Sequence, residues 1–179
     1  MRTKILTTRN SLWRILCAML LIASAFEAAT SLSVAPGKQV PFQASFDAEF
    51  ENSLSFPIVH VTVRGSGQAE HMGSSAAFTD NEVVNLLNGA GTATFTLTGA
   101  NGDTLVLEDT FQTTPPDAGG HFTFGGTYEV VGGTGRFAGA TGGGAVNGSA
   151  QFSGPLGDSG VAEFTFDGTV SSPGKTGKK

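Results

Sequence analysis

The chain has 179 residues, room for one ordinary domain and not comfortably for two. Its 26 glycines follow no strict period of three, which excludes collagen, and its 14 phenylalanines argue against a disordered chain. The net charge of −5 speaks against nucleic acid as a partner, because backbone binding needs basic patches.

The first segment places Arg2, Lys4, Arg9 and Arg14 ahead of an uncharged apolar run from Ile15 to Phe26. A basic region, a short hydrophobic core and then small residues form the pattern of an export signal. The run is too short for a comfortable membrane span. Ala23 and Ala25 fit a small-x-small cleavage pattern and predict a signal peptide over 1–25, with a later cut before Leu32 as a second site. An uncleaved amphipathic anchor is the alternative. Cleavage after Ala25 leaves six basic against fifteen acidic residues, a net charge of −9 with histidine neutral. It also removes Cys17, so the working protein has no disulfide and relies on its core. Cys17 lacks the following small residues of a lipoprotein site. The expected destination is secreted or periplasmic, with no stable membrane span after cleavage.

Val40 to Glu51 alternates almost without fault. Phe42, Ala44, Phe46, Ala48 and Phe50 share one parity, and Gln43, Ser45, Asp47, Glu49 and Glu51 the other. That period of two predicts a strand with one dry and one wet face. Val59, Val61 and Val63 continue the pattern. Asp80 to Asn88 reads as an irregular strand or loop rather than a short helix. Ala93, Phe95 and Leu97 alternate with threonines, which stay wettable while favouring extended backbone. Asn101-Gly102 then marks a tight hairpin, since both residues tolerate positive φ. Leu105, Leu107 and Phe111 share a parity that Asp109 interrupts. A turn at Pro115–Gly120 precedes Phe122, Phe124, Tyr128 and Val130. Glycine-rich stretches at 132–135 and 142–144 flank Arg136–Thr141, and a last strand carries Ala162, Phe164, Phe166 and Val170.

About eight strands joined by short turns, with no long helix after the leader, predict an all-β fold and make an α/β fold improbable. A single eight-stranded antiparallel β-barrel over 38–171 leaves no exposed edge. A two-sheet sandwich satisfies the same alternation and is the runner-up. Residues 172–179, with Pro173, Gly174 and three lysines, read as a flexible basic tail.

Two segments are similar to known proteins. Gly65-Ser66-Gly67-Gln68-Ala69-Glu70-His71-Met72-Gly73 followed by Phe78 resembles secreted bacterial proteins grouped with the allene oxide cyclase-like barrels. So does Gly132-Gly133-Thr134-Gly135-Arg136-Phe137-Ala138-Gly139-Ala140-Thr141-Gly142, which is more distantly similar to plant dirigent proteins. The resemblance spans roughly Val40 to Val170 and implies an eight-stranded antiparallel barrel with an interior cavity. In the plant cyclases the cavity holds an unstable epoxide-containing fatty-acid derivative and guides ring closure, using a carboxylate and an ordered water. Dirigent proteins steer the coupling of phenoxy radicals. Glu70, Tyr128 and Glu129 lie in or beside the matching segments and are the candidates that the resemblance offers for an acid–base role.

Asp109 is a candidate on its own account. On an inward face its carboxyl needs a hydrogen-bond partner or a proton; a local bulge that reverses parity is the equally simple alternative. Paired with Tyr128 or Glu129 it makes a binding site. His60, His71 and His121 lack the close spacing of a zinc site, so neither metal nor cofactor is expected unless these three converge in space. Gly132-Gly133-Thr134-Gly135 lacks the lysine ending and following helix of a phosphate loop and reads as a bend. Arg136 is expected to hydrogen-bond across it or to pair with an acidic neighbour. Three functions follow: a barrel binding an apolar or aromatic small molecule, a cyclase or isomerase acting on an oxidised lipid in the same cavity, or a structural module with a filled interior. Cavity volume and polarity discriminate among them.

Overall fold

The computed structural model describes residues 38–153 and 157–171. The leader over 1–25 or 1–31 and the tail 172–179 lie outside these residues. Eight strands follow one another among the described residues: β1 (Gln39–Ser55), β2 (Ile58–Ala69), β3 (Gly73–Asn85), β4 (Ala90–Gly99), β5 (Thr104–Thr113), β6 (His121–Gly133), β7 (Gly142–Phe152) and β8 (Ser159–Ser171). Each pairs antiparallel with its neighbour, and β8 returns to β1, closing the barrel. The closing seam runs from Gln39 opposite Ser171 to Glu51 opposite Ser159. Closure removes the two-sheet alternative.

The pleat explains the sequence pattern. Phe42, Ala44, Phe46, Ala48 and Phe50 are buried, and the residues between them are exposed. Large and small residues then interleave around the wall. Phe46 stacks on Phe164 across the seam at 5.5 Å, and Phe166 meets Phe46, Phe95 and Tyr128 edge-on. Two glycines let neighbouring backbones approach closely. A Cβ on Gly67 runs into the Ser45 carbonyl, and one on Gly126 into the Thr110 carbonyl. Both sit where the sheet must curl tightly to close.

The expected Asn101-Gly102 hairpin is present with a modification. The connection covers residues 100–103, and only Gly102 takes positive φ, at 83°. Asp80–Asn88 is strand as far as Asn85, followed by a turn. Three ladders shift register, and in β3–β4 Phe78 pairs with Thr96 but Val83 with Thr92. Val61 pairs with Glu82 but Val63 with Thr79, so β3 carries one extra residue. Val106 pairs with Gly132 but Leu107 with Val130, so Val131 bulges from β6.

The barrel's two ends differ. At one end the 3₁₀ turn Gly135–Phe137 drops Phe137, 1% exposed, onto the core. Arg136 Nε donates to Asp103 Oδ2 at 2.8 Å and its Nη2 to the His71 carbonyl at 3.0 Å, tying three connections together. Arg136 thus bonds across the bend and pairs with an acidic neighbour. The opposite end carries the β1–β2, β3–β4 and β5–β6 connections, and there the interior is hollow.

Candidate functional site

The hollow end holds a cavity of ≈ 140 Å³. Its apolar walls come from every part of the barrel, among them Val61, Val84, Phe95, Phe111, Phe124 and Phe164. Inward parity on six strands delivers these residues, and the closed end's larger rings stop the cavity from running through. A larger groove, ≈ 1070 Å³, crosses the outside over Asp47, Glu49, Arg64 and Glu163. Its walls include solvated polar residues of the outer face. The apolar cavity inside the barrel is the better candidate site.

Two carboxyls enter it. β5 keeps its parity through Leu105, Leu107, Asp109 and Phe111, so Asp109 faces inward and is 3% exposed. Burial pushes its carboxyl up to about 7, and its Oδ1 has no hydrogen-bond partner. The second is Glu82, delivered by the β3 bulge. Ser75, Ala77 and Thr79 face inward before the bulge, and Glu82 and Val84 line the interior after it. Thr79 Oγ1 donates to Asn81 Oδ1 at 3.1 Å, and the same oxygen accepts the Thr94 amide at 3.2 Å, bridging the interrupted ladder. Burial, and after it the charge of Asp109, push the Glu82 carboxyl up to about 8. With both carboxyls raised, at least one of the two keeps its proton near neutrality. Asn52 also lines the cavity. Its Nδ2 donates to the Gly157 carbonyl at 2.9 Å, whereas its Oδ1 is buried without a partner.

The other candidates fall elsewhere. Tyr128 is buried and lies opposite Asp109 in the β5–β6 register, but packs on Phe42 and Phe166 away from the cavity. Burial, then the charges of Asp167 and Asp109, push its phenol up to about 12, and its hydroxyl has no partner. Glu129 is the next residue along and therefore points outward, opposite Glu108. It cannot share the cavity with Asp109. Glu70 is exposed near the closed end, where its carboxylate accepts the Gln43 amide at 3.1 Å. His71 sits at φ 64° with its ring nitrogen 2.9 Å from the Pro41 carbonyl, a local clasp on the β2–β3 connection. His60 is exposed on β2, and His121 lies 3.5 Å from Asp117. The three histidines do not converge. Among the described residues no group of three His, Cys, Asp or Glu side chains is placed to hold a metal.

Glu82 is the residue that reasoning from alternation missed. The one signal for it was local: Thr79 and Asn81, two short polar side chains two residues apart, are the kind that bond to nearby backbone and break a ladder.

The fold and site define a closed eight-stranded antiparallel barrel, hollow at one end, with an acidic pair set in an aromatic wall. No protein-family model matches the chain. No curated protein matches it. Among solved structures it is similar to a pterocarpan synthase dirigent protein, with a TM-score of 0.47 and 12% identity over 79% of this chain and 90% of that one. The likeness is one of backbone course.

Proposed function

We propose that this protein is an exported barrel, secreted or periplasmic, that binds an apolar or aromatic small molecule through its hollow end. The carrying observation is the unpartnered, buried Asp109 Oδ1 in a wall of phenylalanine and valine. A purely structural core has little reason to keep such an atom, because an unmet buried polar group costs about 1–3 kcal/mol. The volume sets the ligand's size. An apolar cavity of about 150 Å³ accommodates benzene, so ≈ 140 Å³ suits one aromatic ring or the end of a longer molecule. Leu54 at the end of β1, Phe56 on the β1–β2 connection and Leu86 and Leu87 on the β3–β4 connection are exposed at this end. They offer apolar contact to whatever part of a ligand stays outside.

The test is an amide NMR titration of the purified protein with toluene and benzyl alcohol. Shifts are expected at Val84, Phe111, Phe124 and Val146, with little change at Leu97 and Val170, and a Kd of about 1 mM or tighter. Ala150→Phe, which fills the cavity from its wall, abolishes them. Shifts scattered over the outer face, or none at saturating ligand, overturn the reading.

A second reading, an isomerase or cyclase acting on an oxidised lipid, is favoured by the Glu82–Asp109 pair. Two carboxyls raised to about 8 and about 7 give one group able to donate a proton and one able to accept it near neutrality. Turnover of an epoxide-bearing fatty-acid derivative that is lost in both Asp109→Asn and Glu82→Gln supports it; equal rates with and without the protein remove it.

A further inference from the structure

Resting on the small-molecule reading, we infer that the ligand is an organic amine, bound as its ammonium with the nitrogen at Asp109 and Glu82 and its apolar part against the phenylalanines. The argument starts from which polar atoms the cavity offers. Among the described residues the buried side-chain atoms on its walls without a partner are Asp109 Oδ1 and Asn52 Oδ1; the amide oxygen is an acceptor, and the carboxyl is one when ionised. A ligand that brings hydrogens meets both. A primary ammonium brings three N–H donors, and a hydroxyl only one.

Charge points the same way. Lys38, Arg64 and Arg136 are the basic residues among those described, and none lines the cavity. Among the described residues no protein cation offsets the carboxyls. Glu82 feels only burial and Asp109, and Asp109 only burial. Of the titratable groups near Asp109, Glu82 alone shares the cavity; Tyr128 faces Phe42 and Phe166, and Glu129 and Glu108 point outward. A cation arriving there replaces the missing partner. The walls suit it too, because Phe95, Phe111, Phe124 and Phe164 surround the site and an ammonium is attracted to ring faces. Outside, the acidic excess of the chain draws cations toward the barrel.

Binding has a proton signature. The empty pair retains a proton near neutrality, whereas an ammonium favours the ionised carboxylates. Each ligand therefore expels about one proton at pH 7, and affinity rises with pH between about 5 and 8 while the amine stays charged, as a lysine does.

The experiment compares benzylamine, benzyl alcohol and toluene by isothermal titration calorimetry at pH 5 and pH 8, in buffers of different ionisation enthalpy. Benzylamine is expected to bind at least about tenfold tighter than the other two at pH 8, with proton release, and to weaken by tenfold or more at pH 5. Asp109→Asn should lose the preference for benzylamine over toluene and benzyl alcohol. Benzyl alcohol or toluene matching benzylamine at pH 8, or a benzylamine affinity that ignores pH, overturns the amine inference and leaves the small-molecule reading standing. Failure of all three ligands overturns both.

Discussion

Asp109 makes the protein's stability depend on pH in an unusual direction. Most carboxyls in folded proteins are paired and lose their stabilising effect in acid. Here the folded-state value is raised, from 3.8 to about 7 for Asp109 and from 4.5 to about 8 for Glu82. Below the unfolded-state values both groups are neutral in both states, and the fold carries no penalty. As pH rises, the unfolded chain ionises first, so it binds fewer protons than the native barrel and stability falls. The window runs from about pH 4 to about pH 8, and the loss is on the order of a few kcal/mol. Asp109→Asn keeps the shape and removes the charge. Urea denaturation at pH 5 and pH 8.5 should show the wild type weaker at the higher pH, and the variant more stable than wild type there by about 1–3 kcal/mol. A wild-type stability that rises with pH contradicts the raised carboxyl values.

At the scale of the strand, the β3 bulge decides the site. Without the extra residue, the parity of Ser75, Ala77 and Thr79 carries on to Asn81 and Val83, and Glu82 faces solvent. Asn81 Oδ1 holds the bulge by accepting from Thr79 Oγ1 and the Thr94 amide. Asn81→Ala is expected to lower stability by about 1–2 kcal/mol and to let the Glu82 carboxyl drop toward its ordinary range. Carbon-detected NMR titration of Glu82 checks this; an unchanged titration removes the bulge's role. The same bulge shows what alternation conveys and what it hides. β1 was legible because each of its residues obeys one parity from Phe42 to Phe50. Asp109 was legible as an anomaly because β5 keeps its parity past it. Glu82 was not, because a bulge is set by side-chain bonds to a neighbouring strand, which carry no hydropathy signal. Glu129 was misjudged for the opposite reason: next to Tyr128, it must face the other side of a regular strand.

Across the whole molecule, the proposed binding depends on the two ends being packed differently. At the closed end Phe42, Phe137, Tyr128 and Val170 fill the bore, with Phe166 just above them touching Phe46, Phe95, Tyr128 and Phe164. Toward the hollow end the rings line the wall instead. Phe124 is only partly buried and meets Phe111 at 5.9 Å. Stability therefore concentrates at one end and leaves the other free to open around a ligand. Truncating a ring tests the division. Phe166→Ala removes a fully buried ring and leaves a cavity its neighbours cannot collapse into, so it should cost about 3–5 kcal/mol. Phe124→Ala deletes a ring already facing space and should cost about 1–2 kcal/mol, because its exposed atoms had less to lose. The ligand response should run the other way. Phe124→Ala widens the cavity and improves binding of a two-ring molecule such as naphthalene relative to toluene, whereas Phe166→Ala, if folded, leaves that ratio closer to wild type. Equal losses of stability in the two variants, with no change in the naphthalene-to-toluene ratio, show instead that the barrel is packed alike from end to end.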